Sequence, residues 1–416
     1  MVGSRPVGVV RPPGSMLSDR PPARRPPPGP ASTGGPRAWH AAALFVGIAA
    51  VLFLVMGVVA PRLPEASGLR LTPAFTGPDW LAGWAQWDSG WYHRIASEGY
   101  SYVAGQQSTV AFFPAYPLVV RAFRVLIDDP YLAGIAVTLL AGLAVAVLLA
   151  KWLRSRLSPA SAWTALLAFL LFPYAFFLYG VVYADALFVA ALLGAFLLLD
   201  DDHPVLAGLA GAVATAARPV GIVLIVGLAV RALERRGALR PAGGGWLDWR
   251  KARPADAGVL LSVLGLVAWC GYLWARFDDP FAFASAQGAW DQGAGPETWL
   301  KFQFFRDITD LRSPGAWLLF MAHPVLTIAG ACLLPRVFRR FGAGYGMYAA
   351  LLIGLSALST KNFFGMARYL LAAFPCFAVL GEALNEHPGL RRLYIPGGGV
   401  GLVALTAIFG TGYYLS

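Results

Sequence analysis

Residues 41–60 read AAALFVGIAAVLFLVMGVVA, a run of 20 residues without a charged side chain. An α-helix rises about 1.5 Å per residue, so this run is long enough to cross about 30 Å of hydrocarbon. It is too long for the apolar part of a cleaved signal peptide, and it follows forty other residues. The run therefore predicts a transmembrane helix near the start of the chain.

Ten further apolar runs predict an all-α integral membrane fold with about eleven transmembrane helices. Hydrophobic residues make up 57% of the 416 positions and charged residues only 13%, which is too little polar surface for a water-soluble fold of this size. Each run is bounded by charged residues or by Pro and Gly. The ten runs lie at about 131–150, 161–180, 184–200, 204–217, 219–232, 256–275, 315–334, 343–359, 367–385 and 395–414.

The interval 204–232 could be one long kinked helix or two short helices divided at Arg218-Pro219. The bias of basic residues toward the cytoplasmic side separates these alternatives. With the division, 21 of the 33 basic residues fall on that side; without it, the clusters at 231–253 and 336–340 fall outside. We therefore predict the division, in a cell-membrane protein with a cytoplasmic amino terminus. Topology then explains the net charge of +11, and no nucleic-acid partner is predicted.

One domain preceded by a tail is predicted. Residues 1–40, rich in Pro, Gly and Arg, are expected to form a disordered basic tail in the cytoplasm, and residues 41–416 a polytopic transmembrane domain. Its two long outer loops are expected at about 61–130 and 276–314. The apolar piece 112–127 in the first loop is broken by prolines and carries two arginines, which predicts an interfacial amphipathic helix and not a span.

The first outer loop holds the densest cluster of chemically versatile residues, Trp87-Asp88-Ser89-Gly90-Trp91-Tyr92. Aromatic rings around one carboxylate suit a sugar, because ring faces stack on pyranose CH groups while polar atoms bond hydroxyls. Two plainer alternatives stay open. Trp and Tyr are common in interfacial belts, and Asp88 could simply cap a helix that begins at Ser89.

Four segments, in matching order over about residues 41–385, resemble the family of the second mannosyltransferase of GPI-anchor assembly and its bacterial relatives. That family belongs to the GT-C superfamily of glycosyltransferases. The first segment is the most specific, and the others add to it through their order. The resemblance rests on Trp87–Tyr92 with Ile95-Ala96, Gly99-Tyr100 and Phe112–Leu118; on Tyr183–Phe188; on Ala217–Gly221; and on Ala367–Leu370 continuing to Phe374-Pro375.

The resemblance implies a GT-C-like fold in which Asp88 is the essential carboxylate of the first outer loop. We expect Asp88 to act as the catalytic base that deprotonates an acceptor hydroxyl. Trp87, Trp91 and Tyr92 are then expected to bind the sugar.

The later segments supply four further candidate substrate-binding residues. Tyr183 and Asp185 open the fourth predicted span, and Asp185 stands where the family more often has Glu; we expect it to contact the acceptor or the sugar. Arg218 and Arg368 are expected to hold the lipid phosphate through charge-assisted bonds. The alternative is that both arginines extend to the membrane interface.

The resemblance implies an inverting transferase that moves a hexose, with mannose expected, from a polyprenyl-phosphate donor to a lipid, glycan or protein acceptor on the outer face. A divalent cation could help a phosphate leave, but the family does not uniformly require one, so no cofactor or metal site is predicted. The alternative is a transporter or flippase of a lipid-linked sugar, which broken helices and an intramembrane Arg would also suit. The gathering of polar residues at one face favours the transferase. A purely structural membrane protein would leave the loop-one cluster without an explanation.

Three smaller predictions concern single segments. Asp129 before Pro130 predicts a helix cap. The trio Asp200-Asp201-Asp202 predicts a solvated turn, and His93 is expected to be structural, because a lone His among aromatic residues usually is.

Overall fold

A computed structural model describes residues 34–64, 75–239, 246–290, 295–311 and 313–415. The regular structure within these ranges is helical, with no β-strand. The α-helices are α1 (Ala38–Leu54), α2 (Ser89–Glu98), α3 (Ala115–Phe123), α4 (Pro130–Arg154), α5 (Pro159–Leu170), α6 (Asp185–Asp200), α7 (Pro204–Ala217), α8 (Ile222–Arg235), α9 (Leu264–Phe277), α10 (Ala282–Gln287), α11 (Pro296–Trp299), α12 (Phe302–Asp310), α13 (Pro314–Phe341), α14 (Ala343–Ser359), α15 (Met366–Tyr369), α16 (Phe374–Glu386) and α17 (Pro388–Gly410).

The predicted class, an all-α fold of membrane-crossing helices, is confirmed. Five helical stretches within the described ranges are long and apolar enough to cross a bilayer. Two further stretches, Met366–Ala372 and Phe374–Glu386, meet at a bend of 86° and form either one broken span or a re-entrant loop. The other predicted spans lie on the shorter helices α5, α6, α7, α8 and α14, so the number eleven stays a prediction. The five long stretches are Ala38–Arg62, Pro130–Arg154, Pro254–Phe277, Pro314–Phe341 and Pro388–Gly410.

Prolines set several helix ends. The predicted division at Arg218-Pro219 is present: α7 ends at Ala217, Arg218 is extended, and α8 begins at Ile222. The predicted single run 161–180 is instead α5 followed by a 3₁₀ segment, Pro173–Leu178. A proline disfavours helical backbone at the residue before it, which explains why α5 ends ahead of Pro173.

The structure describes most of the predicted first outer loop but only the end of the predicted tail. The predicted interfacial segment forms the short helix α3, with nine residues too short to cross the membrane. The predicted tail 1–40 lies mostly outside the described residues. Its described end is ordered against the bundle: the Trp163 indole N–H donates to the Gly34 carbonyl at 3.2 Å, and α1 already begins at Ala38.

Helix α6 runs through the buried core and gives the bundle two recognisable ends, named here for its terminal residues. At the Asp200 end lie the carboxyl termini of α4, α8 and α13 and the amino terminus of α14, which bring the predicted cytoplasmic basic clusters together. The Asp185 end holds the start of α6, the break between α7 and α8, and α15. Sixteen helical residues separate the ends by about 24 Å.

Asp200 is not part of a solvated turn, so that prediction is wrong for this residue. Its carboxylate, only 11% exposed, lies between Arg156 and Arg231 and accepts a hydrogen bond of 2.7 Å from the Tyr345 hydroxyl. Its neighbours Asp201 and Asp202 are about half exposed. A carboxylate surrounded by guanidinium groups joins α4, α6, α8 and α14 at this end.

Small residues allow the closest helix contacts. A Cβ added to Gly265 in α9 would lie 2.0 Å from the Ala212 carbonyl oxygen of α7, and one added to Gly142 in α4 would lie 2.1 Å from the Leu178 carbonyl oxygen. Such contacts are typical of membrane helices, whose backbones approach closely where side chains are small.

Candidate functional site

Four charged residues from distant parts of the chain meet at the Asp185 end. Asp88 precedes α2, and Asp185 is the first residue of α6. Arg218 lies in the break between α7 and α8, and Arg368 lies in α15. The structure thus brings together the carboxylates and arginines that the four resembling segments contribute.

Asp185 is ion-paired with both arginines. One guanidinium N–H of Arg218 donates to Asp185 Oδ1, and Arg368 Nε lies 3.7 Å from the same oxygen. The three side chains are at most 11% exposed. Both arginines are therefore held inside the bundle beside a buried carboxylate.

Aromatic rings complete the surroundings of the two arginines. The Arg218 guanidinium carbon lies 4.6 Å from the Tyr369 ring centre, and that of Arg368 lies 5.2 Å from the Tyr183 ring centre. Cation–π contacts of this kind help to hold a guanidinium group in a site that excludes water.

Asp88 occupies the N-cap position of α2, but its side chain accepts no capping hydrogen bond. Asp129 before α4 shows the contrast: its carboxylate accepts the backbone N–H groups of Tyr131 and Leu132 at 2.8 and 2.9 Å, as predicted for a cap. Helix capping alone therefore does not explain the Asp88 carboxylate.

The backbone on either side holds Asp88 in place. Its N–H donates to the Tyr183 hydroxyl at 3.0 Å, which joins the predicted first outer loop to the residues just before α6. The preceding residue, Trp87, has a left-handed φ of 54°, a conformation that is strained for a bulky residue. Strain of this kind persists only where the surrounding structure fixes the segment.

Burial raises the pKa of the Asp88 carboxyl, while the guanidinium groups of Arg368 and Arg218 act in the opposite direction. Burial is the larger effect because it removes the water that would stabilise the carboxylate. The group is therefore a stronger base than an exposed aspartate. Raised carboxyl pKa values are common where such a group takes up a proton.

A cavity of about 690 Å³ opens in front of Asp88. Trp87 and Trp91, both predicted to bind the sugar, line it together with Asp88. Tyr92 and Tyr183 do not; both are buried, and Tyr92 packs its ring against Phe112 and Tyr116. The residues that line the cavity are Trp87, Asp88, Gly90, Trp91, Arg94, Gln107, Trp290, Gln303, Asp307, Thr360, Lys361, Asn362, Phe364 and Tyr414.

More than half of this lining was missed by sequence reasoning. Trp290, Gln303 and Asp307 belong to the predicted second outer loop, and Asn362 follows α14. Polar residues on a short amphipathic helix normally face solvent. The positions of Gln303 and Asp307 on α12 therefore do not by themselves indicate a binding site. The one available hint was the length of the second loop, because long ordered loops often carry function.

Both sequence neighbours of Asp88 carry a buried polar atom without a hydrogen-bond partner, Trp87 Nε1 and Ser89 Oγ. Buried polar groups are normally paired. Among the described residues, six other side chains also carry such an atom, Arg368 among them, so the feature is not confined to this site.

His93 stands apart from this group. Its ring stacks on Tyr131 with centroids 4.3 Å apart, and burial lowers its pKa. It does not line the cavity, in keeping with the structural part expected of it.

Within the described ranges, no three His, Cys, Asp or Glu side chains are grouped so that they could hold a metal ion.

No protein-family model matches the chain, and no curated protein sequence matches it either. Among solved structures, ArnT from Cupriavidus metallidurans bound to undecaprenyl phosphate is similar at a TM-score of 0.47 and 16% identity, covering 89% of this chain and 74% of that one.

The oligosaccharyltransferase of Archaeoglobus fulgidus, in a complex with Zn and sulfate, is similar at a TM-score of 0.44 and 14% identity. AglB from the same organism, with an inhibitory peptide and a dolichol-phosphate, gives 0.43 and 12%. The matches cover 89% of this chain but only 53% and 56% of the archaeal chains. A functional proposal for this chain therefore rests on its own site residues.

Proposed function

We propose that this chain is an inverting GT-C-like glycosyltransferase of the cell membrane. It transfers a hexose, mannose by the resemblance of its motifs, from a polyprenyl-phosphate carrier to a hydroxyl group of a lipid, glycan or protein acceptor. One observation carries the proposal: Asp88 has no capping bond, lines a cavity, and lies within the electrostatic reach of two buried arginines.

Asp88 is the catalytic base. An acceptor hydroxyl in the cavity gives its proton to the Asp88 carboxylate while its oxygen bonds to the anomeric carbon of the donor sugar. The bond from that carbon to the phosphate oxygen breaks in the same displacement, which inverts the anomeric configuration. A raised pKa suits this role, since a base works best when its pKa is close to the working pH.

Positive charge stabilises the leaving phosphate, which does not need to be protonated. A polyprenyl phosphate departs as an anion, so the paired acid that glycoside hydrolysis requires is not needed. Arg218 and Arg368 do not line the cavity, but both act electrostatically on Asp88, so we assign them to neutralise this phosphate.

Asp185 then has a different role from the one first expected. It was predicted to contact the acceptor or the sugar, but it is buried, paired with both arginines and absent from the cavity wall. We assign it as a positioning residue that orients the two guanidinium groups. Tyr183 likewise acts as a positioning residue, because its hydroxyl accepts the Asp88 backbone N–H.

The proposed orientation follows from charge. Cytoplasmic segments of membrane proteins are enriched in Lys and Arg, and the basic clusters of this chain meet at the Asp200 end. If that end faces the cytoplasm, the Asp185 end and its cavity face outward.

The test is a transfer assay on the full-length protein in liposomes, with radiolabelled polyprenyl-phosphate mannose and membrane extract as the source of acceptor. We expect wild type to move label to a new product and Asp88→Asn to lose about 10²- to 10⁴-fold in rate, the usual contribution of a general base. Asp128→Asn is the matched control, because this carboxylate of the same outer loop is fully exposed, and it should leave the rate unchanged.

Two results would contradict the proposal. Transfer by a folded Asp88→Asn variant at the wild-type rate would remove Asp88 from the mechanism. Label that stays on the carrier but crosses the liposome membrane with wild-type protein would favour the flippase alternative.

A further inference from the structure

Part of the cavity wall is made by the predicted second outer loop and the turn after α14. Trp290, Gln303 and Asp307 come from the loop, and Asn362 comes from the turn. The mechanism above uses none of them, so this polar wall needs its own explanation.

Asp307 is the centre of the wall. Its Oδ1 accepts from Gln303 Nε2 at 2.5 Å, and its Oδ2 accepts from Asn362 Nδ2 at 2.9 Å. Each carboxylate oxygen can accept a further hydrogen bond, because together the two offer about four lone-pair positions. The two amides thus fix the orientation of a carboxylate that retains accepting capacity toward the cavity.

The loop that carries Asp307 is itself fixed to the bundle. The Lys301 ammonium group donates to the carbonyl oxygens of Ala357 and Thr360 at the end of α14, and it lies 5.0 Å from the Phe363 ring centre. Lys301 is 9% exposed. The anchored lysine joins the two segments that form the wall and holds Asp307 and Asn362 in register.

Aromatic rings lie beside this wall. The Trp290 ring meets the Trp91 ring edge to face at 5.5 Å, and Trp91 stacks on Phe112 at 5.8 Å. Trp290 and Trp91 both line the cavity, whereas Phe112 supports them from behind. Contact with Trp290 also joins the second outer loop to the first.

A carboxylate flanked by amides and accompanied by tryptophan rings has the chemistry that a pyranose requires. The ring faces cover the apolar CH groups of the sugar, and the carboxylate accepts from neighbouring hydroxyls. An apolar acyl chain would leave the polar wall unpaired. The two lining carboxylates, Asp88 and Asp307, are matched by two lining cations, Arg94 and Lys361, so the cavity has no excess positive charge that would select an anion.

We propose that Asp307, oriented by Gln303 and Asn362, is a specificity-determining residue that binds hydroxyl groups of a pyranose in the cavity. The assignment of the cavity to a transfer reaction rests on the proposed function, but the binding chemistry does not. The pyranose is either the transferred hexose or a sugar of the acceptor, and kinetics separate the two.

The first measurement is direct binding without transfer. Purified full-length protein in lipid nanodiscs is titrated with methyl α-D-mannopyranoside, its gluco and galacto isomers, and glycerol, while tryptophan fluorescence is followed. We expect wild type to respond to at least one hexoside and not to glycerol, and Asp307→Asn to weaken that response about 10- to 100-fold, the effect of losing bonds to a charged group. No response of wild type to any hexoside would overturn the proposal.

The matched control is Glu297→Gln, which removes an exposed carboxylate of the same loop that does not line the cavity. It should bind like wild type. Thermal unfolding in detergent establishes that Asp307→Asn is folded, and Asp307→Glu, which keeps the charge, should recover part of the affinity.

The second measurement is steady-state transfer with the donor and the acceptor varied separately. For Asp307→Asn we expect a KM raised about 10- to 100-fold with little change in kcat. A raised donor KM identifies the pyranose as the transferred hexose, and a raised acceptor KM identifies it as an acceptor sugar. Both KM values unchanged would overturn the proposal.

The two proposals fail in different ways. Hexoside binding that depends on Asp307 in a protein that transfers no sugar would remove the transferase and keep this site. Transfer that depends on Asp88 but not on Asp307 would remove this site and keep the transferase.

Discussion

Arg218 donates a hydrogen bond to Asp185 from a position 33 residues further along the chain. The pair joins the extended residue between α7 and α8 to the first residue of α6. Arg368 approaches the same carboxylate oxygen from α15. One buried carboxylate therefore fixes two guanidinium groups that come from separate helices, and the first prediction tests this dependence.

Asp185→Ala should lower the free energy of unfolding by about 3 to 5 kcal/mol, because it leaves buried arginines without their counter-charge. Thermal unfolding of the purified protein in detergent measures the change. Asp128→Ala, at a fully exposed carboxylate, should change stability little. Equal stabilities of the two variants would contradict the assignment of Asp185 as a structural partner of both arginines.

Transfer should fall as the pH is lowered through the raised pKa of Asp88. The carboxylate must be unprotonated to accept the acceptor proton, so the rate is highest above its pKa and drops about tenfold per pH unit below it. Because burial raises this pKa, the acid limb should lie above the ordinary value of 3.8. The pH profile of kcat/KM measures it. A limb at or below 3.8 in folded protein would mean that another group controls the rate.

Arg368→Lys should weaken the use of the donor while the protein stays folded. Lysine keeps the positive charge beside Asp185 but lacks the planar pair of donors that matches a phosphate. We expect donor KM to rise about tenfold or more, measured by varying polyprenyl-phosphate mannose at fixed acceptor. Arg94→Lys is the control, since Arg94 lines the cavity but pairs with Glu98 at the surface. The same rise in both variants would argue against a specific phosphate contact.

Chelation should leave transfer unchanged, because the proposal assigns the neutralisation of the phosphate to Arg218 and Arg368. The assay is repeated in liposomes after treatment with EDTA, followed by addition of Mg²⁺ or Mn²⁺. Activity that disappears with EDTA and returns with either cation would show that a metal shares this task.

Gly265→Ala should destabilise the contact between α7 and α9. The added Cβ would lie 2.0 Å from the Ala212 carbonyl oxygen, so the helices must separate at a cost of about 1 to 3 kcal/mol. Gly271→Ala in the same helix is the matched control, because no atom lies within 4 Å of its added Cβ. The thermal midpoints of the two variants give the comparison, and the same midpoint for both would show that the contact is not tight in the membrane.

The helical class and the meeting of Asp88, Asp185, Arg218 and Arg368 could be anticipated from the sequence for two reasons. Long apolar runs indicate membrane helices directly. Motifs that occur in the same order as in a known family indicate residues that a common fold would bring together. The break at Arg218-Pro219 was also accessible, because charge on either side of it decides the topology.

Other features could not be anticipated because they depend on distant contacts. The orientation of Tyr92 into the core is set by Phe112 and Tyr116, and the place of Asp307 is set by the anchoring of Lys301 to α14. Asp200 has the sequence context of a surface residue, but Arg156, just after α4, and Arg231 of α8 enclose it. Local composition reports none of these partners.

Helix α6 is ion-paired at both termini, to Arg218 and Arg368 at Asp185 and to Arg156 and Arg231 at Asp200. Helix α6 therefore cannot shift along its axis or tilt without breaking ion pairs at one of its ends. If the donor is a long lipid, as proposed, we expect the opening that admits it in the parts around α6, such as the predicted second outer loop, and we expect α6 itself to stay in place.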